Sequence, residues 1–205
     1  MKRIFLILML CTLSFPLLAL TIDDLSLGVG CGYESTGSLK GEFYVQSSDN
    51  LFKKNADFRV GISNRTYKLD FDGVSNLESH SIGLFCDAVI YPFDNGFYGG
   101  LRWEMINFNW LTADSKTQFE NARSYTPSSL YTGTCMFFQI GYKMHLSDKC
   151  GFRLYAQPGF QQFRISNGTT SIGNYSGGSS SNNLITEDHY EFIFNINMSI
   201  DFRIK

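Results

Sequence analysis

The sequence predicts an all-β protein, an eight-stranded antiparallel up-and-down β-barrel that crosses a membrane. Three observations support this prediction. The chain begins with an export signal, and eight later segments alternate between apolar and polar residues. In addition, the connections between these segments are short at one end of the predicted barrel and long at the other, which is typical of membrane barrels.

The export signal occupies the first 19 residues. Lys2 and Arg3 precede an apolar run from Ile4 to Leu13, and Ala19 supplies a small residue at a suitable cleavage point. No later stretch approaches the ~20 consecutive apolar residues that a spanning helix requires. We therefore assign residues 1–19 to a signal peptide and residues 20–205 to one β-barrel domain in the outer membrane of a Gram-negative bacterium.

Composition agrees with a single all-β domain and excludes some functions. Aromatic residues make up 16% of the chain, and the net charge is only -2, so no basic surface for nucleic acid is expected. Four cysteines follow the signal, at Cys31, Cys86, Cys135 and Cys150, and their pairing is left open. No Cys/His spacing indicates a metal site, and no cofactor is expected.

Each of the eight segments has one apolar face and one polar face, as expected for strands with two different environments. In chain order, the apolar faces comprise Leu25–Tyr33, Leu39–Val45, Phe58–Ile62, Ile82–Ile90, Leu101–Met105, Met136–Leu146, Phe152–Phe160 and Tyr190–Ile204. The third segment is the least regular. Its alternation changes phase near Asn64, where we expect a β-bulge.

The connections fall into two groups. "YPFDNGF" and "LSDKCGF" are predicted tight turns at the end that holds the N-terminus. "STGS", "DGVSNLES", residues 110–132 and residues 166–187 are predicted loops at the opposite end. "SSDNLFKKNAD" is an unusually long turn for its end. We therefore expect short periplasmic turns and longer extracellular loops.

The apolar faces are predicted to meet lipid. The last segment, from Tyr190 to Ile204, is about 46 Å long at about 3.3 Å per residue, enough to cross a lipid band about 25 Å tall when tilted. Aromatic girdles are expected at the periplasmic end from Tyr91, Phe93, Phe97 and Phe202, and at the outer end from Tyr33, Trp110, Tyr131 and Tyr190. The alternative is a soluble lipocalin-like barrel that binds a ligand. It is disfavoured because eight strands enclose too little room for so many aromatic side chains.

The polar faces would then line the lumen and carry charges of both signs. The candidate lumen charge network comprises Glu42, Arg59, Asp87, Arg102, Glu104, Lys143, Arg153, Glu191, Asp201 and Arg203. Mixed charges at close quarters are expected to pair and fill the lumen. The inward glycines Gly28, Gly30 and Gly32 either leave a narrow gap or allow Tyr44 to fold across.

With its signal, its strand count, the "YPFDNGFYGGL" turn and strand, and an aromatic-rich last strand, the chain resembles the eight-stranded outer-membrane barrels of the OmpA- and OmpX-like class. The resemblance covers nearly the whole mature chain and brings no catalytic residue with it. It implies contact with outer-membrane lipid and with the assembly machinery, for which Phe202 takes the place of a terminal aromatic residue. We expect a monomer.

Some barrels of this size modify lipid A with a histidine near the rim. The candidates here are His80 with Ser79 or Ser81, and His189 with Asp188 or Glu191. Adjacent strand residues point to opposite faces, which separates His80 from both serines, and no serine accompanies His189. A lipid-modifying enzyme is therefore an alternative that we do not favour.

We expect the extracellular loops to carry the function, through a structural or surface-interaction role with an unidentified partner. Candidate contact residues in the loop at residues 110–132 are Phe119, Arg123, Tyr125 and Tyr131, since aromatic side chains among mixed charges are typical of contact surfaces. These side chains could equally fold back on the barrel mouth. A narrow conduit for small solutes is the remaining alternative.

Overall fold

The computed structural model describes residues 25–51, 54–71, 73–93, 95–122, 132–166 and 186–204. The predicted signal peptide lies outside these residues. The described elements are β1 (Leu25–Glu34), β2 (Leu39–Leu51), β3 (Lys54–Phe71), β4 (Val74–Ile90), β5 (Phe97–Leu111), α1 (Ala113–Ala122), β6 (Thr132–Ser147), β7 (Cys150–Ser166) and β8 (Thr186–Arg203).

The strands form one closed antiparallel barrel. Each strand pairs with the next along the chain, and β1 pairs with β8 from Ser26↔Arg203 to Glu34↔Asn195, which closes the sheet. Closure leaves no free edge along the body of the barrel, so the backbone of every strand is hydrogen-bonded there on both sides. The predicted eight-stranded up-and-down barrel is confirmed.

The barrel is apolar outside and charged inside. Phe138, Leu101 and Phe160 are 62%, 57% and 65% exposed on its outer surface. Arg59 and Arg153, in contrast, are fully buried in its interior. This distribution is that of a membrane-spanning barrel, whose outer face contacts lipid, and it is the reverse of the lipocalin-like alternative.

The predicted girdle aromatics are exposed at the two ends, with one exception. Tyr91 is half-buried, and its hydroxyl donates a hydrogen bond to Asp57 at 2.5 Å, so it packs inward instead of facing lipid. Tyr131 lies outside the described residues. Among the residues that the structure does describe, no helix has the length and apolar character needed to cross a membrane.

The connection between β2 and β3 is shorter than predicted. Most of "SSDNLFKKNAD" is strand, because the ladder continues through Ser48↔Asp57 to Leu51↔Lys54. Its polar residues were interpreted as a turn, but Asp57 is buried in the barrel interior, where its carboxylate contacts Arg153. The periplasmic side, defined as the end at which the described chain begins with Leu25, therefore has short turns throughout the described chain.

Two predictions about β3 and β4 are wrong. The register is continuous from Ala56↔Ile90 to Leu69↔Leu77, so there is no bulge near Asn64, and the irregularity lies between Leu69 and Phe71. "DGVSNLES" is not a loop, since β4 already begins at Val74. Gly73 adopts a φ of 75°, which glycine tolerates without strain, and this allows a tight turn there. The two strands therefore extend as one hairpin beyond the last β2–β3 pair, Lys40↔Arg65.

A helix lies in the predicted loop at residues 110–132. Thr112 caps it, because its hydroxyl accepts a hydrogen bond from the backbone N–H of Ser115 at 3.3 Å. The helix packs mainly on β4, and Phe119 of the helix and Leu77 of β4 are both fully buried. The Ser115 hydroxyl also accepts a hydrogen bond from the Glu78 backbone at 2.7 Å. Helix and hairpin thus form a small folded unit at the long-loop end.

Candidate functional site

Charged side chains in the barrel interior form two ion-pair networks. The upper network lies toward the long loops and comprises Glu34, Lys40, Glu42, Arg59, Arg65, Asp87, Arg102 and Glu104. The lower network lies toward the short turns and comprises Asp57, Lys143, Arg153 and Asp201.

Glu104 is the centre of the upper network. Its Oε2 atom lies 2.7 Å from Arg65 Nη2, 3.0 Å from Arg102 Nη2 and 3.4 Å from Lys40 Nζ. The hydroxyl of Ser63 donates a hydrogen bond to its other oxygen. Arg65 continues the network to Glu34 at 3.1 Å. One carboxylate from β5 therefore joins cations from β2, β3 and β5.

Arg102 links this centre to the middle of the barrel. Its Nη1 atom lies 3.0 Å from Glu42 Oε1 and 3.7 Å from Asp87 Oδ2. The guanidinium carbon lies 3.6 Å from the centroid of the Phe85 ring, a close stacking contact that suits a planar cation. Asp87 in turn accepts a hydrogen bond from Arg59 Nε at 2.7 Å.

Asp57 is the centre of the lower network. Its Oδ2 atom accepts hydrogen bonds from Arg153 Nη2 at 2.6 Å and from Lys143 Nζ at 3.3 Å. The hydroxyls of Ser48 and Tyr91 donate to the same carboxylate at 2.6 and 2.5 Å. Burial raises the pKa of the Tyr91 hydroxyl, so this group remains a donor.

Tyrosine rings occupy the space between the two networks. The guanidinium of Arg59 lies 5.1 Å from the Tyr44 ring and 5.2 Å from the Tyr155 ring, and that of Arg153 lies 5.8 Å from the Tyr98 ring. Tyr44 folds across Gly28, where a Cβ atom would overlap its ring. The inward glycine at this position therefore accommodates a large neighbour and does not open a gap.

The interior charges balance. The two networks contain six cations and six carboxylates, so their formal charges cancel. Each charged group has an opposite partner within 4 Å, which offsets the cost of removing it from water. Paired charges and aromatic rings thus fill the described interior.

The structure brings together eight of the ten residues of the candidate lumen charge network. The other two, Glu191 and Arg203, are exposed near the two ends of β8. Sequence reasoning omitted four members, Glu34, Lys40, Asp57 and Arg65. Glu34 and Lys40 lie on the polar faces of their segments, so the alternation of apolar and polar residues could have placed both in the lumen. Asp57 was assigned to a turn, and the supposed change of phase at Asn64 concealed the inward direction of Arg65.

The predicted contact residues do not form a described surface. Phe119 is fully buried against the β3–β4 hairpin and is therefore not available to a partner. It folds back on the protein, as the second interpretation of this loop allowed. Arg123, Tyr125 and Tyr131 lie outside the described residues.

The histidine candidates do not assemble a nucleophile and base in the described part of the chain. His80 bonds the hydroxyl of Thr66 at 2.9 Å and lies 5.9 Å from the Trp110 ring on the outer surface. Ser79 and Ser81 are buried on the opposite face of the same strand. The side chains of Asp188 and His189 lie outside the described set.

No group of three or more metal-binding side chains occurs within the described ranges. Cys31, Cys86, Cys135 and Cys150 are free thiols at separate positions of the barrel, and none is the register partner of another.

Comparison with known proteins gives a distant structural likeness. No protein-family model matches the chain, and no curated protein matches it. The crystal structure of a major outer membrane protein from Thermus thermophilus is similar over 88% of this chain and 98% of that one, with 16% sequence identity and a TM-score of 0.44. The fold assignment rests on the strand pairing and the outward apolar surface described above.

Proposed function

We propose that this protein is a non-enzymatic outer-membrane barrel with a closed interior, and that its extracellular side carries a structural or surface-interaction role. The predicted export signal and the lipid-facing surface support the outer membrane as its location, since closed barrels with a polar interior are characteristic of that membrane. Lipid and the barrel-assembly machinery are its expected partners, and a monomer is its expected state.

The balanced interior is the observation that carries the proposal. A conduit for ions needs a continuous polar path, whereas Arg59, Arg102 and Arg153 are fully buried and held by carboxylates, rings or both. Moving any one of them out of the path would separate a buried ion pair, at a cost of about 3–5 kcal/mol. The barrel therefore serves as a rigid support.

The long-loop end is where the chain adds structure beyond the barrel. The β3–β4 hairpin and helix α1 project there, the helix contacts β4, and Leu77 of β4 and Phe119 of the helix are both fully buried. Loops held by a rigid scaffold are common locations of binding residues. The extracellular side is thus the part of this protein best suited to meet a partner.

Planar-bilayer recording tests the closed interior. The wild-type protein should insert without steady conductance, and heat-modifiable migration on a gel should show that the same preparation is folded. The double variant Tyr44→Ala, Phe85→Ala removes two aromatic rings from the interior and should conduct ions. Its conductance would show that the recording detects barrels inserted into the bilayer. Steady conductance of the wild-type protein would overturn the proposal and favour the narrow-conduit alternative.

A surface tag tests the topology. An epitope inserted between Gly178 and Ser179, within the Gly/Ser-rich segment of the predicted β7–β8 loop, should be reached by antibody on whole cells. The matched control carries the epitope between Asp148 and Lys149, in the turn at the opposite end. Detection of the control tag on intact cells, with the loop tag hidden, would invert the topology.

A further inference from the structure

The β3–β4 hairpin has an unpaired strand edge above the barrel. The last register pair between β2 and β3 is Lys40↔Arg65, whereas β3 continues and pairs with β4 as far as Phe71↔Val74. Residues 66–71 therefore extend about 20 Å beyond β2, at about 3.3 Å per residue. Within the described chain, no backbone hydrogen bond joins this segment to any strand other than β4. We call residues 66–71 the free edge.

The opposite edge of the hairpin is already occupied by the segment that carries helix α1. The Thr112 backbone N–H donates a hydrogen bond to the Glu78 carbonyl at 3.0 Å. Gln118 Nε2 donates to the Ser75 carbonyl at 3.1 Å. The hairpin is therefore covered on its β4 side, and its β3 side is the one on which a further strand can add.

The free edge is extended and carries two exposed charges of opposite sign. From Leu69 to Phe71, β3 advances two residues while β4 advances three, so the irregularity adds its residue to β4 and leaves β3 regular. Lys68 and Asp70 are exposed and share one face of the strand. Asp70 Oδ1 accepts a hydrogen bond from the Asn76 backbone N–H at 2.8 Å, which orients the carboxylate. No ion pair joins Lys68 to a carboxylate of the described chain.

This edge is complementary to itself when two copies run antiparallel. With Leu69 opposite the second copy's Leu69, Lys68 lies opposite the second copy's Asp70, and Asp70 opposite its Lys68. Directly opposed charges of unlike sign stabilise an antiparallel pair, and like charges destabilise it. A shift of two residues brings either Lys68 opposite Lys68 or Asp70 opposite Asp70. A lysine on a free edge opposes pairing with most strands, so this pattern favours a second copy in one register.

We propose that the free edge binds a second copy of this chain by antiparallel strand addition, around a two-fold axis at Leu69. β3 runs from the short-turn end to the long-loop end, and copies in one membrane therefore have β3 strands that run the same way. A strand tilt of about 40° cannot make such strands antiparallel. The pairing thus joins copies in two facing membranes, and each copy stays a monomer within its own membrane. The inference rests on the proposed surface-interaction role and names its partner.

Vesicle docking tests the pairing with the protein itself as the probe. Wild-type protein is reconstituted into vesicles with donor-labelled lipid and into others with acceptor-labelled lipid, and a sample tagged between Gly178 and Ser179 verifies with antibody that the long-loop end faces outward. Energy transfer between the two populations should report docking. Lys68→Asp and Asp70→Lys should each weaken docking of like vesicles about tenfold, because each variant opposes like charges. Vesicles with Lys68→Asp should nevertheless dock with vesicles that carry Asp70→Lys.

Lys116→Asp is the matched control for this assay. Lys116 is exposed on helix α1, away from the free edge, and the substitution changes the net charge by the same amount as Lys68→Asp. Its vesicles should dock as the wild type does. Absence of docking between wild-type vesicles, or an equal loss in Lys116→Asp, would overturn the proposal.

Disulfide cross-linking tests the two-fold axis. In docked vesicles under oxidising conditions, Leu69→Cys should form a linked dimer, because directly opposed residues have Cα atoms about 4.5–5.5 Å apart. Thr66→Cys is the control, since its two copies would lie about 20 Å apart along the paired strands and should not cross-link. Docking without a Leu69→Cys dimer would overturn the pairing. The closed interior would still stand in that case, because bilayer recording tests it separately.

Discussion

Replacing Asp57 by asparagine should destabilise the barrel more than any other single neutral substitution in the lower network. The carboxylate accepts hydrogen bonds from Arg153, Lys143, Ser48 and Tyr91. Without its charge, two buried cations remain with only Asp201, at 3.3 and 3.8 Å. Breaking a buried pair in this way costs about 3–5 kcal/mol, and we expect the free energy of unfolding to fall by that amount.

Urea-induced unfolding in lipid vesicles, followed by tryptophan fluorescence and by heat-modifiable migration, measures this change. Asp148→Asn is the matched control, because Asp148 is an exposed turn residue at the same end of the barrel and should change stability by less than about 0.5 kcal/mol. The double variant Asp57→Asn, Lys143→Met restores the balance of one cation to one carboxylate. It should therefore cost less than the sum of its two single changes.

Two results would refute this reasoning. The first is an Asp57→Asn variant whose stability lies within about 0.5 kcal/mol of the wild type, the range of ordinary surface substitutions. The second is strict additivity of the double variant, which would mean that Asp57 and Lys143 do not interact despite the 3.3 Å separation of their charged atoms.

The other predictions concern three separate regions. Ile196→Arg places a charge on the lipid-facing side of β8 and should cost about 2–4 kcal/mol in the same urea assay, whereas Ile196→Leu should be nearly neutral. Gly28→Val should cost about 1–3 kcal/mol because it overlaps the Tyr44 ring, and Tyr44→Ala should recover part of that loss; equal costs with and without the ring would contradict the packing. Phe119→Ala should expose the hairpin and helix α1 to limited proteolysis while the barrel still migrates as a folded species. Unchanged protection of the helix would show that Phe119 does not hold it.

The sequence was sufficient to predict the number of strands, the inward or outward direction of their side chains and the surface exposed to lipid. They follow from the two-residue period of an extended backbone, which places Arg59 and Val60 on opposite faces wherever the strand lies. The same period identified most of the inward charges, including Arg102 and Glu104. The alternation was misleading at two places. Near Asp57, polar strand residues resemble a turn. Beyond Asn64, an apolar run above the barrel resembles a change of phase.

The tertiary structure alone decided which inward groups meet. Arg65 and Glu104 belong to strands that are not neighbours, and their contact at 2.7 Å depends on the register and on closure of the barrel. No local pattern contains that information, because a shift of two residues in the register preserves every face and changes every partner. The burial of Phe119 also could not be predicted from the sequence, because an aromatic side chain suits a contact surface and a buried core equally well. Only the position of helix α1 on the β3–β4 hairpin assigns it to the core.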